Sequence, residues 1–453
     1  MRTENENIRM AEQIATAVAA AGGRVYYVGG YVRDCVRGEP GKDIDLEIHG
    51  LAYDTLREVL ETFGTVLVMG ASFGVFGLKG YDLDIAMPRR ERTTGRGHKD
   101  FSVDTDPFIG VEKAASRRDF TVNALMQDVL TGEILDFFGG KADLENRILR
   151  HVNDDSFAED PLRVLRAAQF AARFGFTVSD KTRALCRTMT LDALSRERVM
   201  GELEKALLKA EKPSLFFREL REMNQLSVWF PEVERLIGVP QNPVYHPEGD
   251  VWNHTMAVLD EAAALREAAE NPKAFLLSAL CHDFGKILTT VEKDGVLHAY
   301  RHETEGIVLV KALLRRLTNE TALMIDVVNL SELHMRPNLM VDQNSSDKAY
   351  MKLFDTACSP NDLLLLAKAD HLGSGSAGDY AQKEALLRKK LRLYRERMEQ
   401  PYVHGADLVA AGMKPGPEFR EALDYAHKLR LAGIGRAEAL TQTLGVFRKK
   451  QGM

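Results

Sequence analysis

Residues 26–47 read YYVGGYVRDCVRGEPGKDIDLE. The apolar start predicts a strand that runs into Gly29-Gly30. A helix carrying Arg33 and Asp34 follows, then a turn over residues 38–41. A second strand carries Asp43 and Asp45. On a strand, residues i and i+2 point to the same face. Asp43 and Asp45 thus present two carboxylates side by side. Such charges repel unless a cation lies between them. Hard oxygen ligands in that number suit Mg²⁺, which holds one or two carboxylates plus substrate phosphates. The glycine pair lets backbone N–H groups approach an anionic ligand. The combination predicts a metal-dependent site for phosphoryl or nucleotidyl transfer.

The rest of the chain bounds this reading. Its 453 residues are too many for one ordinary domain, so about two to four are expected. A hydrophobic content of 45 % with 28 % charge is that of a globular protein in water. No apolar run reaches the roughly 18 residues of a membrane span, and MRTENENIRM lacks the apolar core of a signal peptide. Cys35, Cys186, Cys281 and Cys358 are scattered without a C-x-x-C, which predicts free thiols and a cytoplasmic location. Net charge is −6, yet RRERTTGRGHK (89–99) and residues 388–397 are basic. A local basic groove binds phosphates on an acidic protein, so net charge does not exclude nucleic acid.

Residues 5–21 and 51–63 read as helices, and 65–69 and 74–79 as short strands. YDLDIAMPR then repeats the alternating acids with Asp82 and Asp84. Asp84 is either a third metal carboxylate or a charge that blunts a sheet edge. Residues 89–110 are polar and predict a mobile loop. SRRDFTVNAL (116–125) sets Asp119 and Asn123 four apart on a predicted helix. AEDPLRVLRAAQFAARFGF (158–176) predicts one helix with Pro161 in its first turn. Leu162, Leu165, Ala168 and Ala172 form its apolar stripe, and Asp160, Arg163 and Arg166 fall mostly opposite. Two readings fit that ladder. It is an i,i+3 ion pair on a solvated face, or a set of planar groups reading base edges, Asp accepting from an exocyclic amine and Arg donating to a ring acceptor.

A turn-rich GVPQNPVYHPEGD predicts a boundary near residue 245. His254 follows, then His282-Asp283 in LLSALCHDFGK, His302 in YRHETEG and Asp370 in AKADHLG. Imidazole and carboxylate offered together suit a divalent transition metal. His302 and His334 are candidates for a second ion.

GG-x-VRD followed by KD-x-D resembles the head of class II CCA-adding enzymes and bacterial poly(A) polymerases. The order H…HD…D resembles the HD superfamily of metal-dependent phosphohydrolases. The resemblance runs along nearly the whole chain. It implies an α+β protein: a nucleotidyltransferase head with a mixed sheet (1–145), an almost all-α neck and body (146–245), an HD domain (246–375) and a helical tail (376–453). The implied reaction is template-independent addition of CCA to the 3′ end of tRNA from CTP and ATP. Asp43 and Asp45 would be catalytic and hold Mg²⁺. Gly29, Gly30, Arg33, Arg118, Asp119, Asn123 and Arg166 would bind the nucleotide. Asp160 and Arg163 would select its base. The 89–110 segment would be needed for the last nucleotide. One departure is Gln169, where many relatives carry arginine. A poly(A) polymerase, a CC-only or A-only enzyme, and a protein whose main task is the HD site are the alternatives. Only Lys79 is basic in ASFGVFGLKG, where poly(A) polymerases are arginine-rich, which favours the tRNA enzyme. Oligomeric state is not legible.

Overall fold

The computed structural model describes residues 3–39, 43–68, 74–93, 101–375, 380–400 and 402–447. The chain divides into two compact units, one ending at Trp229 and one beginning at Phe230.

The first unit opens with the helix Glu4–Ala20, whose Ala11, Ile14, Ala15 and Val18 form one buried stripe. Strands β1 (Arg24–Val28), β2 (Ile44–His49), β3 (Val66–Val68), β4 (Val75–Leu78) and β5 (Leu83–Ala86) follow, then β6 (Arg89–Thr93), β7 (Phe101–Thr105), β8 (Met126–Asp128) and β9 (Ile134–Leu135). Seven of them form one sheet in the order β3-β4-β5-β2-β1-β8-β9. The sheet is mixed: β2 runs antiparallel to β1 and parallel to β5. On β2 burial alternates from Ile44 to Ile48, and His49 after it is buried as well. Ile44, Leu46 and Ile48 are buried, and each such residue stabilises the fold by about 2 kcal/mol. Asp45 and Glu47 take the other face.

Three local expectations are corrected. Asp84 is not on a sheet edge: β5 lies between β4 and β2, and the register sets Asp45 opposite Asp84. Residues 89–110 are not one loop. β6 and β7 pair antiparallel from Arg89↔Thr105 to Thr93↔Phe101, and the helix Val111–Ala115 follows. A two-stranded ribbon needs no apolar face to form its ladder, so polarity misled the reading. Residues 94–100 lie outside the described residues. The helix expected over 158–176 is two, Asp154–Ala158 and Leu162–Phe174. Pro161 heads the second, and Asp160 Oδ1 accepts the Leu162 amide at 3.1 Å. The predicted stripe Leu162, Leu165, Ala168 and Ala172 is buried.

The second unit is mostly helical. The helix Val251–Leu265 packs on Pro360–Gly373 and on Pro272–Cys281, which in turn packs on Thr321–Leu333. A small hairpin, Thr290–Lys293 with Val296–Ala299, interrupts the helices. Residues 402–447 gather a core of their own around Leu408, Met413 and Ala439. Among the described residues no helix is long and apolar enough to cross a membrane.

Candidate functional site

In the first unit a cavity of 760 Å³ opens where β1 meets the helix Gly30–Val36. Gly29 turns the chain with φ +67, and a Cβ there would come within 3.4 Å of Asp45 Oδ2. Only glycine combines that backbone with that approach. Asp43 stands exposed just before β2, and Asp45 is half-buried on it. Both line the cavity. Burial and the facing Asp84 push Asp45 up to about 6, although Arg118 opposes the shift. Asp84 and Asp43 both raise Asp45 and Arg118 offsets them only in part, which is the condition a bound cation relieves.

The cavity's other wall is cationic. Arg33 is buried; it donates to Asn123 Oδ1 at 2.8 Å and stacks 4.5 Å from the Phe174 ring. Asn123 Nδ2 donates to Asp119 Oδ1 at 3.0 Å, and Arg166 donates twice to Asp119 Oδ2, at 2.8 and 2.6 Å. Asn123 ends a 3-10 turn, Thr121–Asn123, and Asp119 lies just before it, so the segment is not the predicted helix, yet the two side chains meet as their spacing predicts. Burial alone would raise Asp119. The Arg166 charge and the hydrogen bonds from Asn123 and Arg166 outweigh it and hold the carboxyl below its usual range. Arg118 donates to Glu47 Oε2 at 3.0 Å. Arg173, Lys205 and Lys209 complete the lining. Burial and the neighbouring Arg33 lower the Arg173 guanidinium, although Asp34 opposes the shift. Such a wall receives a polyanion.

Sequence reasoning missed Glu47, Arg173, Lys205 and Lys209. The signal for the basic residues was helical spacing, Arg173 seven residues after Arg166 and Lys209 four after Lys205, and for Glu47 its place two residues after Asp45 on the same strand. Asp160 and Arg163 are not in the cavity lining. Asp160 Oδ2 accepts from Arg198 at 2.8 Å, and Arg163 donates to the Ser156 and Arg117 carbonyls at 2.6 and 2.9 Å. Gln169 does line it, buried, with Nε2 unpartnered among the described residues. A second cavity of 330 Å³ lies along β2 and β5, lined by Asp45, Asp84 and Arg118 among others. Asp45 and Arg118 thus face both cavities.

The second unit gathers the histidines and aspartates. His254 Nε2 lies 3.1 Å from Asp370 Oδ1 and 3.3 Å from His282 Nε2. Asp283 Oδ1 lies 3.2 Å from His302 Nε2 and 3.9 Å from His334 Nε2. Three groups that could hold an ion result among the described residues: His254–His282–Asp370, Asp283–His302–His334, and His246–Glu248–His254, which shares His254 with the first. His302 is seated by glycine: a Cβ at Gly285 would lie 1.9 Å from the His302 carbonyl oxygen. The Nδ1 atoms of His282, His302 and His334 lie 2.8, 2.9 and 2.7 Å from the carbonyls of Ala279, Ala299 and Ser331. A carbonyl only accepts, so each Nδ1 carries the proton and each Nε2 keeps a lone pair for the centre. Among the described residues His334 Nε2 is buried without a hydrogen bond, and burial with the charges of His282 and His302 pulls that imidazole down to about 3. Burial opposes charge on His254 too, yet Asp370 and Glu248 lift it to about 9. The cluster takes up a proton where a cation fits. The second unit thus gathers side chains of the kind that hold a metal ion.

Three family models match in chain order: the poly A polymerase head domain over residues 25–150, the probable RNA and SrmB-binding site of polymerase A over 175–237, and the HD domain over 251–374. Among solved structures, a CCA-adding enzyme in complex with CTP shares the fold over 100 % of this chain and 96 % of its own, with TM-score 0.66 and 20 % identity. The Bacillus stearothermophilus CCA-adding enzyme, also with CTP, does so over 100 % of both chains, with TM-score 0.68 and 20 % identity. Among curated relatives, the multifunctional CCA protein of Haemophilus ducreyi is 39 % identical over 77 % of this chain and 85 % of its own length. That of Xanthomonas oryzae pv. oryzae is 36 % identical over 91 % and 98 %. With these matches spanning the head and the HD cluster alike, the chain belongs to the multifunctional CCA protein family.

Proposed function

We propose a division of labour for this chain, which is a CCA-adding nucleotidyltransferase acting on the 3′ end of tRNA with CTP and ATP. The 760 Å³ cavity takes the nucleotide, and the 330 Å³ cavity takes the RNA terminus. The carrying observation is that Asp45 and Arg118 face both. Asp43, Asp45 and Asp84 would hold Mg²⁺. Bound there, the ion supplies a Lewis acid for the attacking hydroxyl and the departing pyrophosphate. Arg33, Arg173, Lys205 and Lys209 neutralise the triphosphate. Asp119 and Asn123 act by holding Arg33 and Arg166 in place. Asp160 and Arg163 select the base from the rim, and their partners Arg198 and the Ser156 carbonyl would have to yield for them to reach it.

The HD cluster would hold a divalent transition metal through His254, His282, Asp283 and Asp370, with His302 and His334 serving a second ion. Metal there supplies a nucleophile for phosphoester hydrolysis. The division into head (1–145), neck and body (146–245), HD domain (246–375) and tail (376–453) follows these roles, and the thiols and the tRNA substrate agree with a cytoplasmic location. One experiment tests the head reading. tRNA transcripts ending at the discriminator base, at C and at CC are incubated with CTP or ATP alone. The expected result is C on the first two with CTP, and A on the third with ATP. Runs of A on every transcript would instead make it a poly(A) polymerase.

A further inference from the structure

Glu47 is outside the lining of the 760 Å³ cavity, yet it holds the residue that faces both cavities of the head. Asp45, Glu47 and His49 alternate along β2 and share one of its faces. Glu47 uses both carboxylate oxygens: Oε2 accepts from Arg118 Nη2 at 3.0 Å, and Oε1 lies 2.8 Å from His49 Nε2. It also lines the 330 Å³ cavity. We propose that Glu47 is a positioning residue for nucleotide addition: it holds the Arg118 guanidinium between the two cavities and keeps it off Asp45, which leaves Asp45 free for the metal. This rests on the reading of Asp43, Asp45 and Asp84 as the Mg²⁺ ligands.

Glu47 is pinned from behind. Its side chain is 12 % exposed and that of His49 is 7 % exposed. A carboxylate only accepts, so His49 Nε2 carries the proton and donates it. His49 Nδ1 is then a bare lone pair, buried without a partner among the described residues. The Tyr26 ring meets the His49 ring edge-on, with centroids 5.4 Å apart. An imidazole enclosed in this way keeps one orientation, and it fixes the Glu47 side chain in turn. Arg118 thus meets a rigid acceptor. Its own Nε is buried without a partner among the described residues, so the bond to Glu47 is what orients the guanidinium.

The need for such a clamp is visible at Gly29. A Cβ there would lie 3.4 Å from Asp45 Oδ2 and 3.5 Å from Arg118 Nη1. Carboxylate and guanidinium therefore close on one small space from two sides. Opposite charges that near each other in a half-buried site attract strongly, and they collapse into a direct ion pair unless another partner holds one of them. Among the described residues, the ion pair that Arg118 makes is with Glu47. Paired directly with Arg118, Asp45 would offer a cation an occupied oxygen, and the ion would have to displace the guanidinium before binding. Glu47 removes that competition. It also keeps Arg118 where it lines both cavities.

The test reads metal binding apart from turnover. Mn²⁺ uptake by the full chain is followed by electron paramagnetic resonance without nucleotide, and the uptake that Asp45→Asn removes is the head's share. The Mg²⁺ concentration for half-maximal CMP addition is measured in parallel, with thermal melts to verify folding. Glu47→Leu should weaken the head's Mn²⁺ binding roughly tenfold and raise the half-maximal Mg²⁺ concentration by a similar factor. Glu47→Gln keeps an acceptor without the charge and should fall between Glu47→Leu and the parent. In an Arg118→Met background Glu47→Leu should leave Mn²⁺ binding unchanged, because the competing guanidinium is gone. Parent-like Mn²⁺ binding in Glu47→Leu would overturn the proposal while the metal reading stands. An equal loss with and without Arg118 would overturn it too, since Glu47 would then be a ligand or a packing residue. Where Glu47→Leu fails to fold, Glu47→Gln decides alone, and parent-like binding in it is the overturning result. If Asp45→Asn removes no Mn²⁺ uptake, the metal reading fails and the proposal falls with it.

Discussion

Asp45 and Asp84 stand opposite each other across the parallel pair β2 and β5, on strands separated in sequence by a helix and two other strands. Their shared face makes a carboxylate cluster out of what the sequence shows as two separate D-x-D runs. Asp45→Asn should lower nucleotide addition by roughly 10³-fold, with the fold intact by circular dichroism. Near-parent incorporation of CMP would remove the metal assignment. Asp84→Asn should reduce addition less, because Asp84 is the more exposed of the two.

Acidity gives an independent readout of the same cluster. Burial and Asp84 raise Asp45 to about 6, above its unfolded value of about 4. The folded state binds the extra proton, so without metal this group's contribution to stability falls as pH rises through that window. A cation reverses the cost only when the carboxyl is ionised. The Mg²⁺-induced rise in Tm should therefore be larger at pH 7.5 than at pH 5.5. Asp45→Asn should abolish the difference. An equal Mg²⁺ effect at both pH values in the parent would refute the cluster as the binding site.

Asp119 works in the opposite direction. Its carboxyl is depressed, so its contribution is complete above the unfolded value of about 4 and is lost as pH falls through the folded value. Arg166→Met removes the partner and leaves a buried charge, at a cost of about 3 kcal/mol. Acid unfolding followed by near-UV circular dichroism should begin at higher pH in this variant. A parent-like midpoint would show that Asp119 is held by Asn123 and the Phe120 amide alone.

In the HD cluster, His282→Ala should remove metal-dependent phosphoester hydrolysis and leave CCA addition largely unchanged. Equal loss of both would mean that the cluster serves the fold. Metal loading should also expel a proton. His254 lies near 9, so at pH 8 it is charged without an ion and must be neutral to ligate. Calorimetric titration in buffers of different ionisation heat should report about one proton released per ion at that site. Release of none would exclude His254 as a ligand.

Deleting residues 93–98 should leave addition of CC intact and reduce the final A. Thr93 closes the β6–β7 ladder against Phe101, so the deletion also removes that pair. Sequencing of products from tRNA ending at the discriminator base and at CC decides it. Unchanged A addition would clear the segment of any such role.

The parts legible in the sequence were those where chemistry demands fixed types at fixed spacing. Gly29-Gly30, Asp43 and Asp45 declare themselves within one stretch, and His282-Asp283 with Gly285 does so within another. What escaped was set by distant register. Asp84 was legible as a candidate third carboxylate, but it was placed on a sheet edge because its position inside the sheet depends on a parallel crossover. Glu47 looked like an ordinary strand acid until Arg118 reached it. The β6–β7 hairpin hid because its residues lack the apolar alternation that marks half-buried strands. The polar ladder of Asp160, Arg163 and Arg166 split: Arg166 reached the cavity, and the other two found partners on Arg198 and on backbone carbonyls.

The packing at Gly285 carries an implication for how this family's HD cluster could drift. The His302 carbonyl sits where any side chain at 285 would begin, and a Cβ at Gly306 would in turn press within 2.5 Å of the Gly285 amide nitrogen. The two glycines act as a seam between the half of the cluster built on His254, His282 and Asp370 and the half built on His302 and His334. One added methyl would open that seam by displacing the backbone of His302 while every ligating side chain remained encoded. If the cluster holds two ions as proposed, a descendant could thus lose one through a position that is not itself a ligand, and an inventory of ligands alone would miss the change.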